Sequence, residues 1–332
     1  MVTIITLNPK KYIILFLIVL AFFIFFTNAE NLNLAINESI LFCVKSLIPS
    51  IFVFMIFSSF ILYSSAFSDF LPLQDSSRFK LLGNCRKYFL EIILCSICGF
   101  VNGPKMISED FRKNGGDEDE FSNGIILSSN AGLGFLVGCV GARLWNDMVF
   151  GLYLFLCQIL TSLLLGKILL KTKKSKKIRA ENSTKNPSNL SLSSAFSKSV
   201  SSSTLTLISI CAFVIVFSCF LEILVSVFDI SKDSNLYLIF GIFCEFCKGS
   251  FLAVKFKNLI LCAFFTGFCF GFGGLCVHFQ TYAVCEGLPL NKKRFFFFKL
   301  VHGILCGALS ILYVAIFKIS PCENAISSLL RS

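Results

Sequence analysis

Apolar stretches of roughly 20 residues, the length at which a helix crosses the hydrocarbon core of a bilayer, recur along this chain. They fall at 12–27, 47–65, 125–144, 148–170, 205–228, 259–282 and 295–317. Within hydrocarbon every backbone N–H and C=O must be satisfied internally, so such stretches fold as helices or as a closed barrel. These are continuous apolar runs, not alternating ones, and the expectation is helix. Only 15% of the residues are charged, against about a quarter in soluble domains, too few to cover a water-facing surface. The net charge of +11 does not point to nucleic acid, because Lys and Arg gather in short loops between the apolar stretches, as they do on the cytoplasmic side of membrane proteins. The 16 cysteines are scattered through the apolar stretches and read as reduced packing residues, not as a secreted disulfide framework. The stretch 12–27 follows Lys10 and Lys11 and is expected to be a retained first span in place of a cleaved signal peptide.

Charge placement decides two shorter apolar stretches, 88–104 and 236–249. With the N-terminus inside, the acidic stretch from Glu30 to Glu38 lies outside as a loop, and Arg78, Lys80, Arg86 and Lys87 lie inside. If 88–104 crossed fully, the basic run from Lys171 to Arg179 would fall outside, against the positive-inside rule. If 236–249 crossed fully, Lys292, Lys293 and Arg294 would fall outside as well. Both stretches are therefore expected to be re-entrant hairpins entering from opposite faces. A polar, Ser-rich, basic segment at 173–203 reads as a flexible cytoplasmic linker. The chain divides into 1–38, a first span with an outer loop; 39–172, a first repeat; the linker 173–203; and 204–332, a second repeat. The fold class expected is an all-α polytopic membrane protein of about seven transmembrane helices and two re-entrant hairpins in an inverted repeat, a build common in secondary transporters.

Four motifs carry the candidate binding residues. In Gly99-Phe-Val-Asn102-Gly103-Pro104-Lys105, Gly and Pro break a helix, and a half-helix N-terminus at depth attracts anionic groups. Against that stands a tight turn with Lys105 reaching to the interface. In Ser128-Ser129-Asn130-Ala131-Gly132, small polar residues either line a cavity or permit close helix packing, and Asn130 is the best ligand candidate. Glu245 and Lys248 stand three apart, the spacing at which they pair on a helix, and membrane-embedded charges mark pathways by default. In Gly273-Gly274-Leu-Cys-Val-His278-Phe-Gln280, His278 is a candidate for proton coupling and equally for a helix–helix hydrogen bond. The pairs Cys95-x-x-Cys98 and Cys244-x-x-Cys247 lack supporting His or acidic clusters and are not read as metal sites. The acidic run from Asp117 to Glu120 reads as a solvated loop.

From about Leu47 to Tyr313 these motifs, in this order, resemble the YlbJ family of sporulation integral membrane proteins, within the nucleoside-recognition "Gate" group related to concentrative nucleoside transporters. That family's late Gly-Gly-Leu-x-Val-His-x-Gln stands intact at Gly273–Gln280, and its Lys-x-x-His-Gly stands at Lys299 to Gly303. The first motif departs at Val101, where the family has Pro; the second departs at Ser129 and Leu133. Lys248 stands where the family's second hairpin has Asn. The resemblance implies an importer of dipicolinic acid across the mother-cell-derived outer forespore membrane of an endospore former.

The reading is thus a carrier of a small polar or anionic metabolite, with the hairpins gating a midplane site lined by Asn102, Gly103, Lys105, Ser129, Asn130, Glu245, Lys248, His278 and Gln280. It expects a small anionic substrate, the lipid bilayer, a coupling proton or sodium ion and a possible homo-oligomer as partners, with no cofactor and no nucleic acid. The rival is a non-transporting membrane assembly protein needed for spore cortex or envelope formation. No nucleophile–base pair or metal-ligand cluster argues for an enzyme.

Overall fold

The computed structural model describes residues 19, 23–64, 88–169, 177–178 and 191–322. Among them the chain is almost entirely helical, and five helices are long and apolar enough to cross a membrane. It is an all-α membrane protein.

The first described helices form one long rod. Helix α1 (Ala29–Phe42) passes through a π turn at Cys43–Leu47 into α2 (Ile48–Tyr63). The stretch Glu30 to Glu38, expected to be an outer loop, is helical. Its buried residues Leu32, Ala35 and Ser39 recur at helical spacing and form a stripe, and that stripe packs on α7 (Leu192–Val227). The two rods run antiparallel: Asn28 accepts from Ser226 at one end, and Ser203 meets Ser59 at 3.3 Å toward the other. Helix α7 begins at Leu192, so the end of the expected linker 173–203 is helical; Ser191 caps it by accepting from the Ser194 N–H. Of the expected first span 12–27, most lies outside the described residues.

The stretch 88–104 is a helix–break–helix: α3 (Phe89–Cys98), a turn, then α4 (Asn102–Asn114). The turn needs Gly99, whose φ of +107° is a conformation that a side chain disfavours. Next comes a broken helix. Helix α5 (Glu118–Ser128) unwinds and resumes as a π-helical segment, Phe135–Leu144. The acidic run expected to be a solvated loop is the capped start of α5: Asp117 accepts from the Glu120 N–H at 2.9 Å, and three acids face the positive end of the helix dipole. A two-residue antiparallel ladder joins Gly116–Asp117 to Lys177–Ile178. Helix α6 (Met148–Leu169) follows.

The second half repeats this order. Helix α8 (Asn235–Cys244) breaks at Glu245 and continues as α9 (Phe246–Ala253). Helix α10 (Leu259–Phe272) breaks at Gly273, φ +85°, and continues as α11 (Gly274–Val284). Helix α12 (Lys292–Phe317) closes the bundle. It runs against α10 through facing glycines, Gly267 and Gly271 on one helix and Gly303 and Gly307 on the other, a small-residue contact that brings the backbones close.

The two helix–break–helix units reach the centre from opposite ends of the bundle. The end of α4 binds the end of α11 through Arg112 to the Val284 carbonyl (2.9 Å), and Lys105 reaches the start of α7. In contrast, α9 lies beside Glu38 and Glu222, toward the other end of the α1–α7 pair. The tips meet where the Phe100 and Phe246 rings stand edge to face, 4.8 Å between centroids.

Candidate functional site

Four backbone breaks converge at this meeting point: the two tips, the unwound stretch between α5 and the π segment, and the Gly273–Gly274 break, which lies against Phe100 and Phe246. Backbone groups freed at membrane depth require partners, and the surrounding helices supply them. From α6, Gln158 clasps Ala131, accepting from its N–H at 3.0 Å and donating to its carbonyl at 2.6 Å. From α12, the Lys299 ammonium donates to the Ser129 carbonyl. From α5's end, Asn130 donates to the Leu127 carbonyl (2.8 Å) and to Ser96 on α3 (3.2 Å). Ser129 Oγ and Asn130 Oδ1 are buried here without a hydrogen-bond partner among the described residues.

Lys299 is completely buried. Besides the Ser129 carbonyl it has His302 Nδ1 at 3.3 Å and the face of Phe100, 5.6 Å to the ring centroid. His302 Nε2 lies 2.8 Å from the Gln158 carbonyl. Nδ1 lies 3.1 Å from the Gly271 carbonyl as well, so both ring nitrogens face carbonyl oxygens and the imidazole bridges the α6 and α10 backbones beside Lys299. Among the described residues no carboxylate pairs with Lys299. Gln158 performs the same carbonyl-satisfying role nearby with a neutral side chain, so the positive charge of Lys299 exceeds what the break requires. An unmatched buried charge is among the most costly arrangements in a protein.

In front of Phe100 lies a small cavity of about 30 Å³ between the tips, lined by Gly99, Asn102, Phe246, Cys247 and Gln280 among others. Its size holds about one water. Phe100 borders this cavity and also carries the Lys299 ammonium over its ring.

Measured against the expectation, the structure brings together part of the predicted set. Asn102 and Gln280 line the cavity between the tips, and Ser129 and Asn130 belong to the adjoining break. Gly103 is a packing residue: a Cβ there would lie 2.6 Å from Ser128 Cβ. Lys105 is engaged away from the cavity, donating to Ser202 Oγ at 2.8 Å and Thr206 Oγ1 at 2.9 Å on α7. Glu245 is buried at the second tip but does not pair with Lys248. Its two carboxylate oxygens accept from the Cys247 and Lys248 N–H groups (2.9 and 2.6 Å) and cap α9, because the positive end of a helix is the nearest available partner for a buried carboxylate. Lys248 instead faces Glu38 at 3.9 Å. His278 does not line the cavity; it is enclosed by the rings of Phe272, Phe295 and Phe296 and bonded through Nδ1 to the Gly274 carbonyl at 2.7 Å. Lys299, His302 and Gln158 are the central residues that the sequence reading did not place in the site. The signal for Lys299 was an uncompensated cation inside the apolar stretch 295–317.

No family model, no curated protein and no solved structure matches the chain.

Proposed function

We propose that this protein is a secondary carrier of a small organic anion. The observation that carries the reading is Lys299: a fully buried ammonium with no carboxylate partner among the described residues, set beside unwound backbone and over the ring of Phe100 at the meeting point of the two tips. Broken helices with ion- and substrate-binding groups at the centre of an inverted repeat are a recurring carrier architecture, and the order of elements in the two halves supports that build. In this reading the helix–break–helix units are re-entrant hairpins, and the bilayer lies so that Lys292, Lys293 and Arg294 face the cytoplasm. An anion entering between the tips displaces Phe100 and supplies the countercharge that Lys299 lacks, while Asn102 and Gln280 offer polar contacts. The tip of one hairpin then opens toward one side and that of the other toward the opposite side, with Phe100 and Phe246 as the barrier between them.

The resemblance to sporulation membrane proteins makes dipicolinate, a flat aromatic dianion, the first substrate to try, and the outer forespore membrane the expected location. The test is uptake of labelled dipicolinate into proteoliposomes under sodium or proton gradients, comparing wild type with Lys299→Met. Uptake that is lost in a folded Lys299→Met supports the reading. Equal uptake by the variant excludes Lys299 as the countercharge, and absence of uptake by folded wild type shifts weight to the assembly role.

A further inference from the structure

A second cavity, of about 270 Å³, lies away from the midplane, where α1 and α7 meet the second hairpin. Its walls include the aromatic rings of Phe42, Tyr237 and Phe251. Its charges are unevenly matched. Glu222 is paired with Lys232 at 2.8 Å. Lys248, in contrast, has a buried Nζ with no hydrogen-bond partner among the described residues. The carboxylate facing it is Glu38, at 3.9 Å, beyond hydrogen-bonding range, and the Glu38 side chain is 54% exposed. Lys255 lines the same cavity. Loss of solvent, and after it the positive charge of Lys248, hold the Lys255 ammonium below its usual pKa, with Glu38 and Asp233 pulling the other way. Asp233 and Lys232 line the cavity as well; Lys232 is held by Glu222, and among the described residues neither Glu38 nor Asp233 comes within hydrogen-bonding distance of Lys248 or Lys255, so two ammonium groups from one hairpin share the cavity without a bonded carboxylate.

We propose that this cavity is a capture site for a small carboxylate, bound between Lys248 and Lys255, with Glu38 as the group that the ligand displaces. The unbonded ammonium of Lys248 is what such a ligand satisfies, since a carboxylate forms short charge-assisted bonds that Glu38 does not. Aromatic walls favour a planar body on that carboxylate. The site also has a route to the tip: the Lys248 N–H donates to Glu245 Oε2, so a ligand that moves Lys248 acts on the cap at the break. Its role as the first stop of a transported anion rests on the carrier reading; the binding itself does not.

The experiment is isothermal titration calorimetry of the full chain in detergent micelles with pyridine-2,6-dicarboxylate as the probe and pyridine as the uncharged control. The expected result is binding of the dicarboxylate only, weakened about tenfold or more by either Lys248→Gln or Lys255→Gln, as loss of one charge-assisted bond implies. Glu38→Gln tightens it, because the competing carboxylate is gone. Lys299→Met keeps this binding while losing uptake. Lysine-dependent binding without uptake by wild type leaves the capture site standing and removes the carrier reading. No binding by folded wild type overturns the capture site, as does affinity within about twofold of wild type in the Lys248→Gln, Lys255→Gln double variant. Binding lost in Lys299→Met but kept in the lysine variants overturns it too and leaves the midplane reading intact.

Discussion

Gly271→Ala is expected to destabilise the protein even though it adds a single methyl to a helix, where Ala ordinarily gains about 1 kcal/mol over Gly. The reason is the close seam between α10 and α12. A Cβ at 271 would lie 2.5 Å from Gly303 Cα, 2.7 Å from Gly303 N and 2.7 Å from the His302 carbonyl oxygen. Non-bonded carbons rest at about 3.5–4.0 Å, so the seam must open by about 1 Å. All three atoms are backbone and cannot rotate aside, so α12 itself has to retreat. A gap of about 1 Å forfeits a quarter to a half of each contact's attraction, and overpacking in tight cores costs about 1–3 kcal/mol. The retreat also moves His302, which joins Lys299 to the Gln158 carbonyl. The expectation is a net loss of about 1 kcal/mol after the helix-propensity gain, read as a drop of about 2 °C in Tm in detergent, with slower uptake if Lys299 serves the substrate. The control is Gly138→Ala, where an added Cβ meets nothing within 4 Å and stability should hold or rise. A Tm for Gly271→Ala equal to that of Gly138→Ala would refute the argument that the α10–α12 seam is closed by absent side chains.

Glu245→Ala removes the cap of α9 and its two carboxylate bonds, and should cost about 1–2 kcal/mol in thermal unfolding. Lys105→Met breaks the bonds to Ser202 and Thr206; a loss of about 1.5–3 kcal/mol should appear as faster amide exchange along α4, and unchanged exchange would show that the first hairpin is held by packing alone. Cys322 is exposed, whereas Cys98, Cys139, Cys244, Cys247 and Cys306 are buried; maleimide labelling followed by peptide mapping should modify Cys322 first and these five only on unfolding.

Much of the architecture is legible in the amino-acid order because the bilayer leaves few alternatives. Continuous apolar length dictates spanning helices, and Gly99 and Gly273 mark breaks because positive φ favours glycine. The positions of basic residues led to the expectation of re-entrant hairpins at 88–104 and 236–249; in the structure each is a helix broken near its polar end. Polarity was a poorer guide to where helices start. The stretches around Glu30, Asp117 and Ser201 looked like loops, yet all are helical or cap a helix, since caps and a packed stripe on a neighbouring rod outweigh local composition.

Which polar residues share a site was decided by tertiary structure alone. Sequence spacing suggested that Glu245 and Lys248 pair, but a carboxylate at a helix start bonds its own backbone N–H groups, and Lys248 is left to face α1. Lys105 sits in the most suggestive motif, yet the approach of α7 takes up its ammonium. Lys299 follows Lys292, Lys293 and Arg294 closely enough to read as the end of an interfacial basic run. Only the crossing of α12 over the unwound stretch after α5 carries it to the Ser129 carbonyl, with no acid paired to it among the described residues. Helix length and breaks are local properties that each segment encodes for itself; the partner of a buried charge depends on contacts between residues 170 positions apart in the chain, and no local pattern specifies those.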